Sequence, residues 1–261
     1  MISIIIPTLN EENYLSSLLD SIRKQKVDEL RSSSRTSSLE RVRKNFNSFD
    51  FANARVFKDL EMIIADAGSK DKTIEISKRY GCKVVKGGLP AKGRNEGAKI
   101  AKGDLFLFLD ADTILPEDFF ERALKEFRER NLDIASFCLE PQAKNWFEKF
   151  LFDAFYNFPI LILEKFLAHG AQAILVKKEI FEKIGGFDEK IKFAEDHSFM
   201  RKAKKFGNFG ILRKVRVFSS LRRFEKEGFV KTYLKYLLAE IYMIFFGDIK
   251  KDIFKYKFGN F

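Results

Sequence analysis

The run Leu105-Phe106-Leu107-Phe108-Leu109 ends abruptly at Asp110-Ala111-Asp112, and this junction restricts the fold more than any other stretch of the chain. Consecutive apolar residues bounded by polar ones read as a strand buried on both faces, as in a parallel sheet covered by helices. Side chains alternate along an extended chain, so Asp110 and Asp112 are expected on one side, just past the strand's carboxyl end. Open α/β sheets bind their ligands at that edge. Two hard oxygen donors there suit Mg2+ or Mn2+, which would in turn hold a diphosphate. The alternative is that both aspartates cap the turn before a helix starting near Pro116.

The same strand, loop and helix succession recurs upstream. Ile2-Ser3-Ile4-Ile5-Ile6 is a β-branched run, and Pro7-Thr8-Leu9-Asn10-Glu11-Glu12 leads into a helix bearing Leu15, Leu18, Leu19 and Ile22, with Asn10 the expected N-cap. Met62-Ile63-Ile64-Ala65 reads as a second strand, followed by Asp66-Ala67-Gly68-Ser69-Lys70-Asp71-Lys72-Thr73 and a short helix that Gly81 ends. Lys83-Val84-Val85-Lys86 is a third, followed by a Gly-rich basic connection over residues 87–97 and a helix through Ala98 and Ile100. Such alternation predicts right-handed crossovers and a mostly parallel central sheet flanked by helices, with its loops along one edge. Thr8, Asp66, Lys92, Arg94, Asp110 and Asp112 then share that edge. Asp66 would accept from a base or ribose, and Lys92 and Arg94 would neutralise a diphosphate.

Four other stretches carry further signals. Residues 26–58 are Ser-rich and basic and read as an exposed insertion, or as a basic flap closing over an anionic ligand or approaching a membrane. After a helix over 116–130 and a strand over 134–138, residues 146–163 are densely aromatic, either core or an apolar face for lipid. A strand over 173–176 and a short helix then precede Glu195-Asp196-His197, which opens a helix to Phe206, its carboxylates either caps or a general base. The apolar stretch 229–246, interrupted by Lys231, Lys235 and Glu240, reads as an amphipathic helix that lies on a membrane or docks on the domain.

Across 261 residues the net charge is +11, which implies an anionic partner: nucleic acid, phospholipid or a phosphorylated substrate. Cys82 and Cys138 have no metal-ligand spacing, the N-terminus reads as a strand and not a leader, and no stretch of eighteen residues is free of charge. A cytoplasmic location is expected, with peripheral contact at the cytoplasmic face of a membrane as an option. His169 and His197 are the only histidines, and each reads as a hydrogen-bonded residue or a metal ligand.

The order and spacing of Pro7-Thr8-Leu9-Asn10-Glu11-Glu12, residues 66–73, Gly93-Arg94-Asn95-Glu96-Gly97, Asp110-Ala111-Asp112 and Glu195-Asp196 resemble the family 2 glycosyltransferases of the GT-A fold. That resemblance implies a GT-A-type α/β domain over 1–220 and a helical tail over 221–261. It implies a donor pocket lined by Pro7, Thr8, Glu11 and Asp66, the last facing the base, with Lys92 and Arg94 near the diphosphate. Asp110 would meet the ribose or a metal-bound water, Asp112 would bind Mg2+ or Mn2+ directly, and Ala111 would lie between them. Asp196 would be the base, with Glu195 beside it. The reaction implied is inverting transfer from a UDP- or GDP-linked sugar to a hydroxyl or phosphate, a lipid phosphate among the options, with His197, Arg222 or Arg223 touching acceptor or phosphate.

Two features depart from that pattern. Ala67 stands where a second acidic residue is often seen, and Ser220-Leu221-Arg222-Arg223-Phe224 lacks the Gln and Trp of processive members. Two other readings compete with this one. A sugar-phosphate nucleotidyltransferase would show a Gly-rich Arg/Lys signature at the first strand, where Pro7-Thr8-Leu9-Asn10 stands. A basic nucleic-acid or membrane-surface module needs no carboxylate cluster, and nucleic acid is not expected because that cluster would repel a polyanion.

Overall fold

A computed structural model describes residues 1–25, 60–143 and 146–250, together with 253 and 258. The basic segment 26–58 lies outside the described residues, as does most of the tail beyond 250. The apolar runs Ile2–Thr8 (β1), Leu60–Asp66 (β2), Lys83–Lys86 (β3) and Leu105–Leu109 (β4) pair in parallel in the order β3-β2-β1-β4. Their connections contain α1 (Leu15–Arg23), α2 (Thr73–Arg79) and α3 (Pro90–Ile100). Thr113–Ile114 (β5), Ile134–Pro141 (β6), Ala173–Lys177 (β7) and Phe209–Ser219 (β8) extend the sheet to the order β3-β2-β1-β4-β7-β6-β8-β5. β7 runs antiparallel to both β4 and β6, and β8 runs parallel to β6.

Alternation along the strands divides the core into two layers. Ile4, Ile6, Leu107 and Leu109 face one side, with Leu15 and Leu18 of α1 and Phe119 of α4 (Phe119–Glu129). Ile5, Phe106 and Phe108 face the other, with Phe181 of α7 (Lys178–Ile184) and Phe199 of α8 (Glu195–Ala203). Gly97 explains how closely α3 lies on β1: a Cβ there would sit 2.4 Å from Ile5 Cγ2.

Several elements differ from the sequence expectation. β8 occupies a stretch to which the sequence reading assigns no element; its pairing with β6 shifts register between Phe137 and Cys138, which breaks the two-residue period around Arg213 and Lys214. The short β5 was likewise not anticipated. α3 begins at Pro90, inside the stretch read as a Gly-rich loop, because proline suits a first helical position. Asn10 is not an N-cap: α1 starts at Leu15, and Asn10 adopts φ 56°.

The aromatic stretch forms α5 (Trp146–Phe152), a π-helical turn (Asp153–Asn157) and α6 (Phe158–Leu163). Phe152 and Ile160 are buried, but most of its large apolar side chains are exposed. Past β8, α9 (Arg222–Glu227) leads to α10 (Phe229–Phe246), which packs Ala239 and Met243 against Phe193 and Ile249. Among the described residues no helix is long and apolar enough to cross a membrane.

Candidate active site

The first two strands end in loops that are tied to each other. Asp66 Oδ2 accepts from the backbone N–H groups of Gly68 and Ser69, both at 2.8 Å, and Oδ1 accepts from Ser69 Oγ at 2.5 Å and Thr8 Oγ1 at 3.1 Å. Four donors fill the lone-pair sites of this carboxylate. Asn10 Oδ1 accepts from Lys70 N, while Glu11 N donates to Thr73 Oγ1 and Glu12 N to Asp71 Oδ2. These bonds between the loops explain why Asn10 occupies a left-handed conformation; the loop chemistry competes with helix capping here and wins. Pro7 lies buried opposite Ala65 in the β1–β2 register.

At the end of β4 the chain turns at once. Thr113 N donates to the Asp110 carbonyl at 3.2 Å and Thr113 Oγ1 to the same oxygen at 2.8 Å. The two aspartates therefore sit on a turn and not on extended chain, and they meet different arginines; Ala111 between them is buried. Arg94 Nη2 donates to Asp110 Oδ1 at 2.8 Å, and its Nη1 to Glu195 Oε1 at 2.6 Å. Arg222 Nε lies 2.9 Å from Asp112 Oδ2, and its two Nη atoms grip both oxygens of Glu11 at 2.8 and 2.9 Å.

Arg94 is 4 % exposed and its guanidinium stands 5.2 Å from the Phe187 ring. It thus clamps the first turn of α8 to the end of β4 from inside the protein, while Lys92 on the first turn of α3 is exposed. Gly170 permits a second close approach to α8, since a Cβ there would lie 2.6 Å from the Asp196 carbonyl carbon. Asp196 Oδ1 accepts from His197 N at 2.9 Å, and its side chain keeps a partial opening to solvent. Ala194, just before α8, holds φ 58°, a conformation costly for a residue with a Cβ.

The electrostatics follow from this crowding. Glu11, Asp110, Asp112, Glu195 and Asp196 gather around the guanidiniums of Arg94 and Arg222. Desolvation pushes Asp110 up to about 7 against the pull of Arg94, with Asp112, Glu195 and Asp196 adding to the rise. Desolvation also raises Asp112 and Glu11 in spite of Arg222. A site whose carboxylates outnumber its cations, and which offers only hard oxygen donors, fits a divalent cation of the Mg2+ or Mn2+ class. Such ions commonly take one or two carboxylates and complete their shell with phosphate oxygens and water.

Behind Asp196 lies a second cluster that sequence reasoning missed. His197 Nδ1 is 2.9 Å from Glu240 Oε2, Arg201 Nη2 donates to Glu240 Oε1 at 2.6 Å, and the His169 ring is 4.1 Å from that of His197. Among the described residues His169, His197 and Glu240 form the one trio of potential metal ligands whose donor atoms lie within 4.8 Å of one another. Against desolvation, Asp196 and Glu240 raise the His197 imidazole, and His197 and Arg201 hold Glu240 down to about 2. The arrangement is therefore an ion pair, with both oxygens of Glu240 engaged. A lone carboxylate in the apolar stretch 229–246 was its signal, because a buried charge demands a partner. Arg223 sits next to Arg222 in α9 and contributes to the positive field at Asp112.

Comparison with known proteins adds three findings. The sequence profile of the family Glycosyl transferase family 2 matches residues 37–212. An uncharacterized glycosyltransferase of Rickettsia typhi is 27 % identical over 234 residues, which cover 83 % of this chain and 64 % of the relative, so the chain spans under two thirds of that protein's length. Among solved structures, Staphylococcus aureus TarS 1-349 in complex with UDP-GlcNAc aligns with TM-score 0.59 and 21 % identity over 84 % of this chain and 58 % of that one. The mannosyltransferase PcManGT from Pyrobaculum calidifontis, in complex with GDP-Man and Mn2+, aligns with TM-score 0.62 and 19 % identity over 92 % and 61 %. Both structures share the fold described above.

Proposed function

This chain belongs to glycosyl transferase family 2, and on that premise we propose that it moves a sugar, with inversion, from a UDP- or GDP-linked donor to a hydroxyl or phosphate of an acceptor. The observation that carries the reading is the convergence, at the carboxyl ends of β1, β2 and β4, of Asp110 and Asp112 with the Glu195-Asp196 turn of α8, held there by Arg94. A nucleoside would lie between the loops after β1 and β2. Their shape is set by Thr8 and by the saturated carboxylate of Asp66, which would mould the pocket through the backbone of Gly68 and Ser69. Lys92, exposed on the first turn of α3, would meet the diphosphate together with the positive end of that helix.

Asp112, with Asp110, would hold a divalent cation, which supplies charge neutralisation for the departing nucleoside diphosphate. Asp196 would accept the proton of an acceptor hydroxyl as the acceptor oxygen bonds to the anomeric carbon and the bond to the diphosphate breaks. Arg94 and Glu195 act as positioning residues that fix where Asp196 stands. We read the acceptor as lipid-linked, because α10 joins Asp196's neighbour His197 to a wide exposed apolar flank.

Calorimetric titration with UDP, GDP and their sugar conjugates, with and without Mn2+, tests this on the intact chain and on Asp112→Ala. Metal-dependent binding of one nucleotide that the variant loses is expected. A folded protein that binds none of them with metal present would remove the donor site.

A further inference from the structure

Most of the large apolar side chains that this protein leaves exposed fall on two helical faces. On α10, Val230, Leu234, Leu238, Ile241 and Phe245 recur at helical spacing and are all exposed, Phe245 at 75 %. The opposite face of the same helix is fastened to the domain through buried Thr232, Ala239 and Met243 and through Glu240. The outward stripe itself is apolar: of the three charged residues of α10, Lys231 is exposed at its margin, and Lys235 and Glu240 are half-buried. The second face runs along α5, the π-helical turn, α6 and the turn after it, where Phe147, Phe150, Phe155, Phe158, Ile162 and Phe166 are exposed, Phe166 at 83 %. The π turn matters here, because its wider winding accommodates the five-residue step from Phe150 to Phe155 and keeps the stripe on one side. Phe155 and Tyr233 join the two faces, their rings 5.5 Å apart.

The charges on these segments are sorted. Over residues 146–166 and 230–246 Glu164 and Glu240 are turned inward, Glu164 paired with Arg130 and Arg213 and Glu240 with His197 and Arg201, Glu148 is half-buried, and Asp153, with its side chain 43 % exposed, is neutralised by Arg216. Lys165 and Lys231 of the same segments are exposed, as is Lys149, which pairs with Glu140. A contiguous aromatic and aliphatic surface with exposed lysines and with its carboxylates half-buried or neutralised by arginine or histidine, on a chain of net charge +11, is complementary to an anionic bilayer, whose acyl boundary takes the apolar stripe and whose headgroups take the lysines. A protein partner would be expected to meet hydrogen-bonding groups within the patch, and the two stripes offer almost none.

We propose that the outward faces of α5–α6 and α10 form one surface that lies in the interface of an anionic phospholipid membrane without crossing it. The surface stands on its own residues and does not depend on the reading of the donor site.

Sedimentation with large unilamellar vesicles tests it, comparing phosphatidylcholine alone with phosphatidylcholine containing phosphatidylglycerol. The intact chain is expected to bind the anionic vesicles, more weakly at high salt. Phe245→Glu/Phe246→Glu and Trp146→Glu/Phe166→Glu are each expected to lower the bound fraction about tenfold or more. All four positions are exposed, so the fold and its nucleotide binding should survive, which separates a failed surface from a failed donor site. Trp146 is the single tryptophan and is 77 % exposed, so its emission on the unaltered chain should shift to the blue and be quenched by brominated lipid. Absence of vesicle binding at low salt, or binding indifferent to both double substitutions, would overturn the proposal. So would a lipid-free dimer in analytical ultracentrifugation that the same substitutions dissociate, since that would make the face a contact between copies.

Discussion

Arg222 holds Asp112 and Glu11 at once, its Nε 2.9 Å from Asp112 Oδ2 and its two Nη atoms on both oxygens of Glu11. The guanidinium also stands 4.6 Å from the Tyr14 ring. A residue beyond the last long strand thus ties together the loop after β1 and the turn after β4, two elements that sequence separates by about a hundred residues. The planar fork makes this possible, since three N–H directions in one plane reach two carboxylates without rearrangement.

Arg222→Gln should lower stability by about 2–4 kcal/mol, because it leaves two buried carboxylates without their counter-charge. Urea unfolding checks this. Added Mn2+ should recover more stability in the variant than in the unaltered protein, since a cation at Asp112 would replace part of the missing charge; equal recovery would mean that the ion does not bind beside Arg222.

Arg94→Lys should leave donor affinity nearly unchanged and lower kcat by about 10- to 100-fold. A lysine carries the charge but cannot bridge Asp110 and Glu195 in one plane, so α8 loses its fixed distance from β4. Single-turnover kinetics with saturating donor separates this from a binding defect.

Asp196→Asn should lower turnover of a hydroxyl acceptor by about 100- to 10,000-fold, the usual contribution of a general base. Nucleotide binding should persist. A loss of nucleotide affinity comparable to the loss of rate would place Asp196 in the donor pocket instead.

The Glu240–His197 pair predicts a pH signature. His197 is raised above its ordinary 6.5, so its contribution to stability is complete below 6.5 and is lost as pH rises through the higher folded value. Glu240 falls from 4.5 to about 2, so its contribution is complete above 4.5 and is lost as pH falls toward 2. Burial depresses His169, and His197 and Arg201 add to the fall while Glu240 opposes it, so the cost of acidification below 6.5 is greater in the variant and widens the gap there. Glu240→Gln should therefore destabilise by about 1.5–3 kcal/mol near pH 5–6, with the gap narrowing above neutrality. A gap that stays constant from about pH 5 to pH 9 would mean that the pair does not carry a proton.

The sequence by itself determined the parallel half of the sheet and which loops meet. Short apolar runs rich in β-branched or aromatic residues and bounded by turn residues, such as those of β1 and β4, read as buried strands, and right-handed crossovers then bring Thr8, Asp66 and Asp110 to one edge. The family's order of motifs was legible for the same reason, since each motif sits where a strand ends. Tertiary structure decided what each polar group does there. Asp66 is spent on its own loop, Arg94 is enclosed between Asp110 and Glu195, and Asp112 is bound to an arginine that lies far away in sequence. β8 escaped sequence reasoning because a register shift interrupts its alternation, and Glu240 met His197 only through the docking of α10. Local periodicity fixes which face of an element is buried. The pairing of charges across elements depends on distances that only the packed chain sets.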